Sequence, residues 1–549
     1  MIAHRTNRLL LRSLARPLSS LAIPKEHRIA GTGTVDKHRP NFDAKQCRPH
    51  KNKTVPELLQ SLLVFQMIQL PPLVQHGEAI VGTMRSVLGD TITDSLIRHT
   101  FFPQFCGGEN QSQIVDKMSE LKGLGINSIL DYAAEDEGPG PTCSTGTGTT
   151  VNRTAVNQPA REYDYESEEI CDGHVETFRR CIQTVHDAGN GRQFAAMKVT
   201  GLGNPKLLLK MSTAVRHIQA TVNFHDTNKK GHLNKAEILK VARSLSGDND
   251  MIARLVDHLD PCTQKVDYVD LSAAAFALDF SSGPSTTFAD IIPDSLKFTT
   301  EEIDLIHTLR ARANTIAQEA ADLNVSLLID AEQSWFQPAI DVISLGLQQT
   351  YNSVETTTKP IIYTTHQCYL KDSLDRLQVD VKRSQRLSYH FGSKLVRGAY
   401  MHRERSRASE KGYASPIHDT VQDTHDCYNG ALEYLLRQAK ITDFPTIEVM
   451  CASHNRESIE FAIELCNELG LSALSNDNLS FAQLFGMSDD LTIPLGERGY
   501  NVYKYLPYGE IKEVIPYMLR RAQENGDVLG KSKYEMKLVV DELKERMKM

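Results

Sequence analysis

The sequence predicts an α/β protein built on a closed, parallel (β/α)8 barrel. Eight apolar runs of strand length follow one another, and segments with helical periodicity separate most of them. An open doubly wound sheet is the alternative. No run, however, is followed by the glycine-rich GxGxxG turn that binds phosphate groups. The runs are NSILDYA (127–133), FAAMKVTGL (194–202), VSLLIDAE (325–332), PIIYTTHQCYL (360–370), SKLVRGAYM (393–401), TIEVMCASH (446–454), LSFAQLFGM (479–487) and YNVYKYLPYG (500–509).

Two segments precede the barrel. In residues 1–30, arginines lie among leucines and serines, and no acidic residue occurs before Glu26. This pattern is typical of an amphipathic mitochondrial transit peptide, although an ordinary basic tail is the alternative. Residues 31–119 have the periodicity of short amphipathic helices. We therefore expect a transit peptide followed by a helical arm, with the barrel occupying 120–213 and 299–530.

An insertion at 214–298 interrupts the barrel between its second and third strands. In the stretch DTNKKGHLNKAE, Asp226, Asn228 and Glu237 occupy ligand positions 1, 3 and 12 of a calcium loop. Lys230 stands at position 5, where a ligand oxygen belongs. A second loop-like stretch, DPCTQKVDYVD, is one residue short and lacks the glycine. We expect an EF-hand-like structural module that does not bind calcium.

Composition excludes several classes of protein. The net charge of −8 provides no basic field for nucleic acid. The 10 cysteines are dispersed without a CxxC pair, which favours reduced thiols over disulfides or zinc. No apolar stretch is long and uninterrupted enough to span a membrane, so any membrane contact is expected to be peripheral.

Polar residues recur where the predicted strands end, which is where barrel enzymes place their functional groups. Together they offer cations, amides and aromatic rings but no serine triad or metal cluster, which suits an anionic ligand and a phosphate-bearing cofactor. Each residue also has a structural explanation. A Schiff-base aldolase that uses Lys198 is an alternative. The residues are Lys198, Asp330, Glu332, Gln367, the stretch from Lys394 to Tyr400, Ser453, His454, Asn455 and Tyr505.

The helix predicted at 510–525 carries an unusual face. Tyr517, Arg520, Arg521 and Glu524 are spaced at i, i+3, i+4 and i+7, beside an apolar stripe. Periodicity alone leaves two possibilities, a solvated face with weak arginine–glutamate pairs or a face that contacts a ligand. The last segment, 531–549, is a further amphipathic helix, which could dock on a membrane or, as we prefer, cap the barrel.

Several motifs resemble those of one family, the FAD-dependent proline dehydrogenases (proline oxidases), in their mitochondrial animal-type form. The motifs LLIDAEQS, HQCYLKDS, KLVRGAY, ASHN, QLFGMSD and YLPYGEIKEVIPYMLRRAQEN occur in the family's order over residues 120–530. One departure is that KLVRGAY has lysine then arginine where bacterial relatives have arginine then lysine. Lys394 thereby loses the bidentate fork of an arginine.

The resemblance implies a role for each of these residues. The helix face would turn towards the barrel mouth, where Arg520 and Arg521 would hold the carboxylate of L-proline and Lys198 would add a third positive charge. The proline ring would be lined by Tyr505, Tyr517, Tyr400 and Leu395. Asp330 and Lys394 would be the catalytic polar groups near the flavin and the amine. The residues implied to hold FAD are Ala331, Gln367, Arg397, Gly398, Ala399, Ser453, His454, Asn455 and Glu524.

The resemblance also implies an activity and its partners. The expected reaction is oxidation of L-proline to 1-pyrroline-5-carboxylate by hydride transfer from C5 to flavin N5, the first step of proline catabolism. The electrons would pass to a quinone of the inner mitochondrial membrane, so a matrix enzyme peripheral to that membrane is expected. A calcium-responsive scaffold on an inactive barrel is the alternative outside enzymology, and Lys230 argues against it.

Overall fold

Eight parallel strands close into a barrel, as the alternation of apolar runs predicts. The computed structural model describes residues 39–132, 167–189, 192–228, 230–245, 265–276, 294–441, 445–471, 478–527 and 531–548. The barrel strands, in chain order, are β1 (Asn127–Tyr132), β2 (Phe194–Met197), β3 (Ser326–Ile329), β4 (Ile362–Gln367), β5 (Phe391–Val396), β6 (Ile447–Ala452), β7 (Leu479–Leu484) and β8 (Val502–Tyr508). Each strand pairs with its neighbours in sequence, and β1 pairs with β8 to close the ring.

Side chains of alternate residues along each strand fill the barrel interior. A middle layer contains Ile129, Leu328, Met450 and Tyr505, which belong to one buried apolar cluster. Residues between these, such as Leu395, belong to a larger cluster between the strands and the surrounding helices. Because residues two apart share a side of the strand, the next inward positions after the middle layer lie at the carboxyl ends of the strands.

Helices cover the outside of the barrel. The amino end of Thr300–Asp322 is fixed by a capping box in which Thr299 and Glu302 exchange hydrogen bonds, as the sequence predicts. The helices that follow or precede the strands are Glu168–Asp187, Pro205–His225, Thr300–Asp322, Gln337–Tyr351, Ser373–Leu387, Met401–Lys411, Val421–Ile441, Arg456–Glu468, Asp489–Glu497 and Ile511–Asp527, with 3-10 turns at Val199–Leu202 and Asp294–Leu296.

The inserted segment begins as a continuation of the helix Pro205–His225, which runs through residue 214. Its described part contains the helices Lys235–Leu245 and Tyr268–Ala275 and an antiparallel pair of short strands, Leu233–Asn234 and Lys265–Val266. The first part of the second loop-like stretch lies outside the described residues. The EF-hand-like character of this segment therefore stays a prediction.

In the first loop, the Lys230 ammonium lies 2.9 Å from both carboxylate oxygens of Glu237. The Asp226 carboxylate accepts a hydrogen bond of 2.6 Å from the backbone N–H of Gly231. An internal cation therefore already neutralises the carboxylate that would occupy ligand position 12. At the described end of the second loop-like stretch, Asp267 forms an ion pair of 2.9 Å with Arg383 of the helix Ser373–Leu387.

The amino-terminal arm consists of short helices that pack on the last barrel helix. Thr54 and Glu57 form a capping box at the start of Val55–Ile68. The arm helices are Ala44–Cys47, Val55–Ile68, Pro71–Gln75, Gly77–Leu88, Asp90–Arg98, Phe101–Phe105 and Gln111–Gly123. Pro40–Met549 belong to one compact unit. The predicted transit peptide lies outside the described residues.

The carboxyl-terminal helix, Lys531–Lys548, packs along the arm helix Val55–Ile68. Leu538 is buried, whereas Met547 is 78% exposed. The Glu542 carboxylate accepts two hydrogen bonds, of 3.0 and 2.8 Å, from the Arg48 guanidinium. The helix thus packs on the arm, and both capping of the barrel and docking on a membrane stay predictions. Among the described helices, none has the length and apolarity needed to cross a membrane.

Candidate active site

The carboxyl ends of the strands carry a layer of polar side chains that point into the barrel mouth. They follow the middle layer because each lies two residues beyond an inward-facing position on its strand. All are at least nine-tenths buried, so their charges must be paired or hydrogen-bonded. We call this set the mouth layer, and its members are Asp131, Lys198, Asp330, Gln367 and Lys394.

Asp330 and Lys394 lie at the centre of the mouth layer. The Lys394 ammonium donates to Asp330 Oδ1. The Tyr505 hydroxyl donates to Asp330 Oδ2 at 2.8 Å, and Lys394 Nζ lies 5.5 Å from the centroid of the Tyr505 ring. The carboxylate therefore accepts hydrogen bonds on both oxygens. This network fixes the orientation of the lysine and the tyrosine towards the mouth.

Lys198 forms a second buried ion pair, between the ends of the neighbouring strands β1 and β2. Its ammonium donates to Asp131 Oδ1 at 2.7 Å, and the two side chains are 2% and 1% exposed. Pairing compensates the cost of burying each charge. An ammonium held in this way is not a ready Schiff-base nucleophile, which weighs against the aldolase alternative. It also means that the third positive charge expected beside the arginines is already balanced by Asp131.

Glu332 lies beside these pairs, two residues after Asp330. Its carboxylate accepts hydrogen bonds from the Thr200 backbone N–H at 3.1 Å and the Thr200 hydroxyl at 2.6 Å. Both bonds favour the charged form, but complete burial outweighs them and raises the pKa of Glu332 to about 7. Glu332 is thus a candidate proton-exchanging group at the mouth.

Two glutamine side chains have buried amide atoms that no protein group satisfies. Gln367 Nε2 donates to the carbonyl oxygen of Glu332, but Gln367 Oε1 is buried without a hydrogen-bond partner. Gln333 is also fully buried, and neither its amide nitrogen nor its amide oxygen has a hydrogen-bond partner. Orphaned polar atoms at a barrel mouth are the feature expected where a polar ring system binds. Their chemistry fits the amide and ring nitrogens of a flavin.

Arg397 is held at the rim just beyond β5 by side chains of two neighbouring segments. Its Nη1 donates to Ser453 Oγ at 2.6 Å and its Nη2 to Ser458 Oγ at 2.9 Å. Its Nε donates to His425 Nδ1 at 2.9 Å, and its guanidinium stacks 4.3 Å from the centroid of the Tyr428 ring. A preorganised cation beside serine hydroxyls can bind a phosphate group.

The segment after Arg397 continues the rim. Gly398 has a φ of +133°, and a Cβ atom there would lie 2.5 Å from the ring of Tyr369. Only glycine combines that backbone conformation with that proximity. Gly398 and Ala399 are exposed, so their backbone is open to a ligand, and Tyr400 is buried beneath them. Ala331, after β3, is 9% exposed.

The residues after β6 already make local contacts. Asn455 caps the helix Arg456–Glu468, because its side chain accepts from the Ser458 N–H at 2.8 Å. His454 Nε2 accepts from the Leu484 N–H at 3.0 Å, and Ser453 Oγ bonds Arg397 as described above. The capping bond uses the side-chain oxygen of Asn455. Its expected contact with the cofactor would therefore come from the side-chain NH2 group.

The last barrel helix, Ile511–Asp527, packs mainly against helices of the amino-terminal arm and against Lys531–Lys548. Its apolar stripe, which includes Val514 and Met518, joins a cluster with Phe65 and Phe105 of the arm. The Tyr132 hydroxyl at the end of β1 donates to Glu513 at 3.0 Å. The helix therefore starts over the carboxyl end of β1, with the arm packed on its apolar side.

The face that carries the two arginines is buried. Arg520 is 6% and Arg521 is 3% exposed, so the possibility of a solvated face was wrong. Arg521 forms an ion pair of 2.7 Å with the half-buried Glu524, and its guanidinium lies 5.1 Å from the centroid of the Tyr517 ring. Two buried guanidinium groups adjacent in sequence make a strong anion-binding element.

Leu395 does not join the groups at the mouth. It is fully buried in the layer between strands and helices, on the side of β5 opposite Lys394. Strand alternation allows only one of two consecutive residues to face inward, and ion pairing with Asp330 selects Lys394. The expectation that the Leu395 side chain lines the proline ring is therefore not supported by its position.

Two residues of the site were not among the sequence-based candidates. Asp131 lies near the end of the first apolar run, NSILDYA, and the rule that strand ends carry functional groups could have identified it. Gln333 follows Glu332 directly, and its fully buried, unsatisfied amide becomes visible only in the structure. Among the described residues, no group of three histidine, cysteine or acidic side chains has a metal-binding arrangement.

Comparison with known proteins places this geometry in context. The family model described as proline dehydrogenase matches residues 166–534. The chain is 32% identical over 551 residues to "Proline dehydrogenase 1, mitochondrial" of Drosophila melanogaster, covering 90% of this chain and 79% of that protein. It is 32% identical over 596 residues to the protein of the same name from Homo sapiens, covering 97% and 96%.

A solved structure, that of proline utilization A (PutA) from Bdellovibrio bacteriovorus inactivated by N-propargylglycine, is similar with a TM-score of 0.52 and 14% sequence identity. The match covers 90% of this chain but only 40% of that one, and it supports the barrel fold alone. The sequence matches extend over most of this chain and confirm the resemblance carried by the motifs. The chain therefore belongs to the proline dehydrogenase family.

Proposed function

We propose that this protein catalyses the FAD-dependent oxidation of L-proline to 1-pyrroline-5-carboxylate. The observation that carries the proposal is the pair of buried arginines, Arg520 and Arg521, on a helix that starts over a barrel mouth lined by Asp330 and Lys394. A small amino acid needs an anion site for its carboxylate and a defined position for its amine and ring. In this proposal the two arginines would supply the anion site, and the mouth layer would position the amine and the ring.

Substrate binding begins with the carboxylate. Arg520 and Arg521 would hold it through charge-assisted hydrogen bonds, and Lys198 would contribute by breaking or sharing its bond to Asp131. The rings of Tyr505, Tyr517 and Tyr400 would contact the five-membered ring. Burial of all these groups excludes water, which strengthens each electrostatic interaction.

The polar centre of the mouth would orient the reacting amine. Asp330 accepts hydrogen bonds from both Lys394 and Tyr505, so it acts in this proposal by positioning those two groups. Lys394 would supply positive charge near the site where electron density increases on oxidation. Glu332, whose pKa is raised to about 7 by burial, could accept a proton from the amine through Thr200 or water.

FAD fits the remaining residues. When bound, it would supply the two-electron acceptor, N5, for the hydride leaving proline C5. The amides of Gln367 and Gln333 would satisfy their orphaned atoms on its ring, and Arg397 would bind its pyrophosphate with the exposed backbone of Gly398 and Ala399. The other residues that would hold it are Ala331, Ser453, His454, Asn455 and Glu524.

We also propose the cellular setting and the domain boundaries. The relatives' names include the word mitochondrial, which supports a transit peptide at 1–30 and a location in the matrix. The reduced cofactor would pass its electrons to an inner-membrane quinone, with the protein bound peripherally. The boundaries proposed are 31–119 for the arm, 120–213 and 299–530 for the barrel, 214–298 for the EF-hand-like insertion and 531–549 for the terminal helix.

Anaerobic titration of the purified protein tests the proposal directly. The protein should be yellow, and L-proline should bleach its flavin absorbance while 1-pyrroline-5-carboxylate accumulates in equal amount. D-proline and pyrrolidine, which lacks the carboxylate, serve as controls and should bleach it far more slowly. A colourless protein that does not bind added FAD, or equal bleaching by pyrrolidine, would refute it.

A further inference from the structure

Arg520 and Arg521 lie on a helix whose course is not fixed by its own backbone alone. Pro516 lies inside the helix Ile511–Asp527, one turn before the arginines. Proline has no N–H, so the backbone hydrogen bond to the carbonyl oxygen four residues earlier is missing at this point. Helices bend at such a proline, and the position of the second half therefore depends on what packs against it.

The amino-terminal arm makes one very close contact with this second half. Leu519, which directly precedes Arg520, packs against the buried cluster of the arm. A Cβ atom added to Gly77, at the start of the helix Gly77–Leu88, would lie 2.4 Å from Leu519 Cδ2. An ordinary contact between carbon atoms is about 3.5–4.0 Å. Any other residue at position 77 must therefore displace Leu519 or the helix that carries it.

A second contact with the arm lies one turn further along the same helix. Gln523 is 9% exposed, and its Nε2 donates a long hydrogen bond of 3.5 Å to the carbonyl oxygen of Val74. Leu519 and Gln523 are four residues apart, so they lie on the same side of the helix. The contacts made by the arm segment 74–77 therefore bracket the two arginines in the sequence.

The arm is itself anchored to the barrel on either side of this segment. Before it, the Lys53 ammonium lies 3.0 Å from the carboxylate of Asp489, which begins the helix after β7. After it, the Gly107 N–H donates to the carbonyl oxygen of Pro507 in β8 at 2.8 Å. Because both ends are attached to the barrel, the segment between them is held against the helix.

We propose that Gly77 is a positioning residue for substrate binding, because its close contact with Leu519 sets where Arg520 and Arg521 stand. The inference rests on the proposed function, in which the two arginines hold the proline carboxylate. It adds a determinant of substrate affinity that lies outside the barrel and contacts neither substrate nor cofactor. Hydrogen bonds from a guanidinium to a carboxylate are about 2.7–2.9 Å long, so a displacement of about 1 Å would break them.

Gly77→Val tests the contact, and Gly82→Val is the matched control. Gly82 lies in the same helix, is exposed and has open space where a Cβ atom would stand, so the control adds the same side chain without a clash. Neither glycine has a positive φ, so valine strains the backbone at neither position. Any difference between the two variants therefore reports the contact with Leu519.

Calorimetric binding of cyclopentanecarboxylate in the presence of FAD measures the effect without turnover. This acid keeps a five-membered ring and the carboxylate but lacks the amine. Its Kd should rise about 10- to 100-fold for Gly77→Val, as expected when a charge-assisted hydrogen bond is lost, and should stay at the wild-type value for Gly82→Val. The KM for proline should rise by a similar factor. The kcat/KM for pyrrolidine, which has no carboxylate, should not change.

A compensating change provides the second measurement. Leu519→Ala removes the atoms that valine would meet, so Gly77→Val/Leu519→Ala should bind cyclopentanecarboxylate more tightly than Gly77→Val alone. If Gly77→Val does not fold, Gly77→Ala with Gly82→Ala as its control makes the same comparison. Equal Kd values for the variants at positions 77 and 82, or equal losses with proline and pyrrolidine, would overturn the proposal.

The same binding measurement separates this inference from the proposed activity. If the wild-type protein binds cyclopentanecarboxylate but does not oxidise proline, the proposed activity fails, while the comparison of Kd values still decides the role of Gly77. A wild-type protein that does not bind cyclopentanecarboxylate would refute the arginine clamp and the positioning role with it.

Discussion

Replacing Arg521 by methionine separates a substrate clamp from a purely structural ion pair. Methionine keeps much of the side-chain volume but removes a guanidinium that is 3% exposed, bonded to Glu524 at 2.7 Å and stacked near Tyr517. Loss of a buried, charge-assisted contact to the proline carboxylate should remove about 2–4 kcal/mol of transition-state binding. That is about a 30- to 1000-fold fall in kcat/KM for proline.

Stability should change much less than activity. The Glu524 side chain is 36% exposed, so water can replace its lost partner, and the pair contributes at most about 1 kcal/mol. Arg437→Met is the matched control, because Arg437 pairs with Glu433 at 2.8 Å with side chains 51% and 42% exposed. Its kcat/KM should stay at the wild-type value.

Steady-state kinetics on FAD-saturated variants, with urea unfolding in parallel, make the comparison. Arg520→Met should give a loss of similar size, and the double variant should lose less than the sum because both side chains would share one carboxylate. Arg521→Lys should recover only part of the activity, since it keeps the charge without the planar fork. A kcat/KM for Arg521→Met equal to that of Arg437→Met would refute the clamp.

Three further predictions follow from particular contacts. Calcium chelation should leave turnover and unfolding unchanged, because the Lys230 ammonium already bonds the carboxylate at ligand position 12; activity that depends on micromolar calcium would contradict this. If Tyr505 lines the substrate as proposed, its ring would crowd a ring hydroxyl, so Tyr505→Ser should shift the ratio of kcat/KM values from proline towards trans-4-hydroxyproline. The rate should also fall, because Asp330 loses a hydrogen bond of 2.8 Å. An unchanged ratio would mean that Tyr505 does not line the substrate. Burial raises the pKa of Glu332 from 4.5 to about 7, so the folded protein binds this proton more tightly than the unfolded chain does. The stability gained from this proton is fully present below pH 4.5 and is lost as the pH rises through 7. Glu332→Gln should therefore be more stable than wild type at pH 8 by up to about 3 kcal/mol and show no such gain at pH 4; parallel curves of urea midpoint against pH would contradict it.

The sequence by itself determined the barrel. Eight apolar runs separated by helical segments have few folding solutions, because parallel strands need crossover helices and every apolar face must be buried. Motif order identified the family. Strand ends located Lys198, Asp330, Gln367 and Lys394, since the carboxyl ends of all strands meet at one mouth. These features depend on local pattern and on topology, both of which can be derived from the chain.

Only the tertiary structure decided what the polar groups face. Helical periodicity places Arg520 and Arg521 on one side of a helix, but their burial depends on how that helix packs against the arm. Strand alternation puts Lys394 and Leu395 on opposite sides of the strand but does not decide which one points inward. The ion pair with the Asp330 carboxylate selects Lys394. Likewise, the Lys198–Asp131 pair joins the ends of two strands 67 residues apart. Partners that are distant in sequence are set by packing, which no local pattern records.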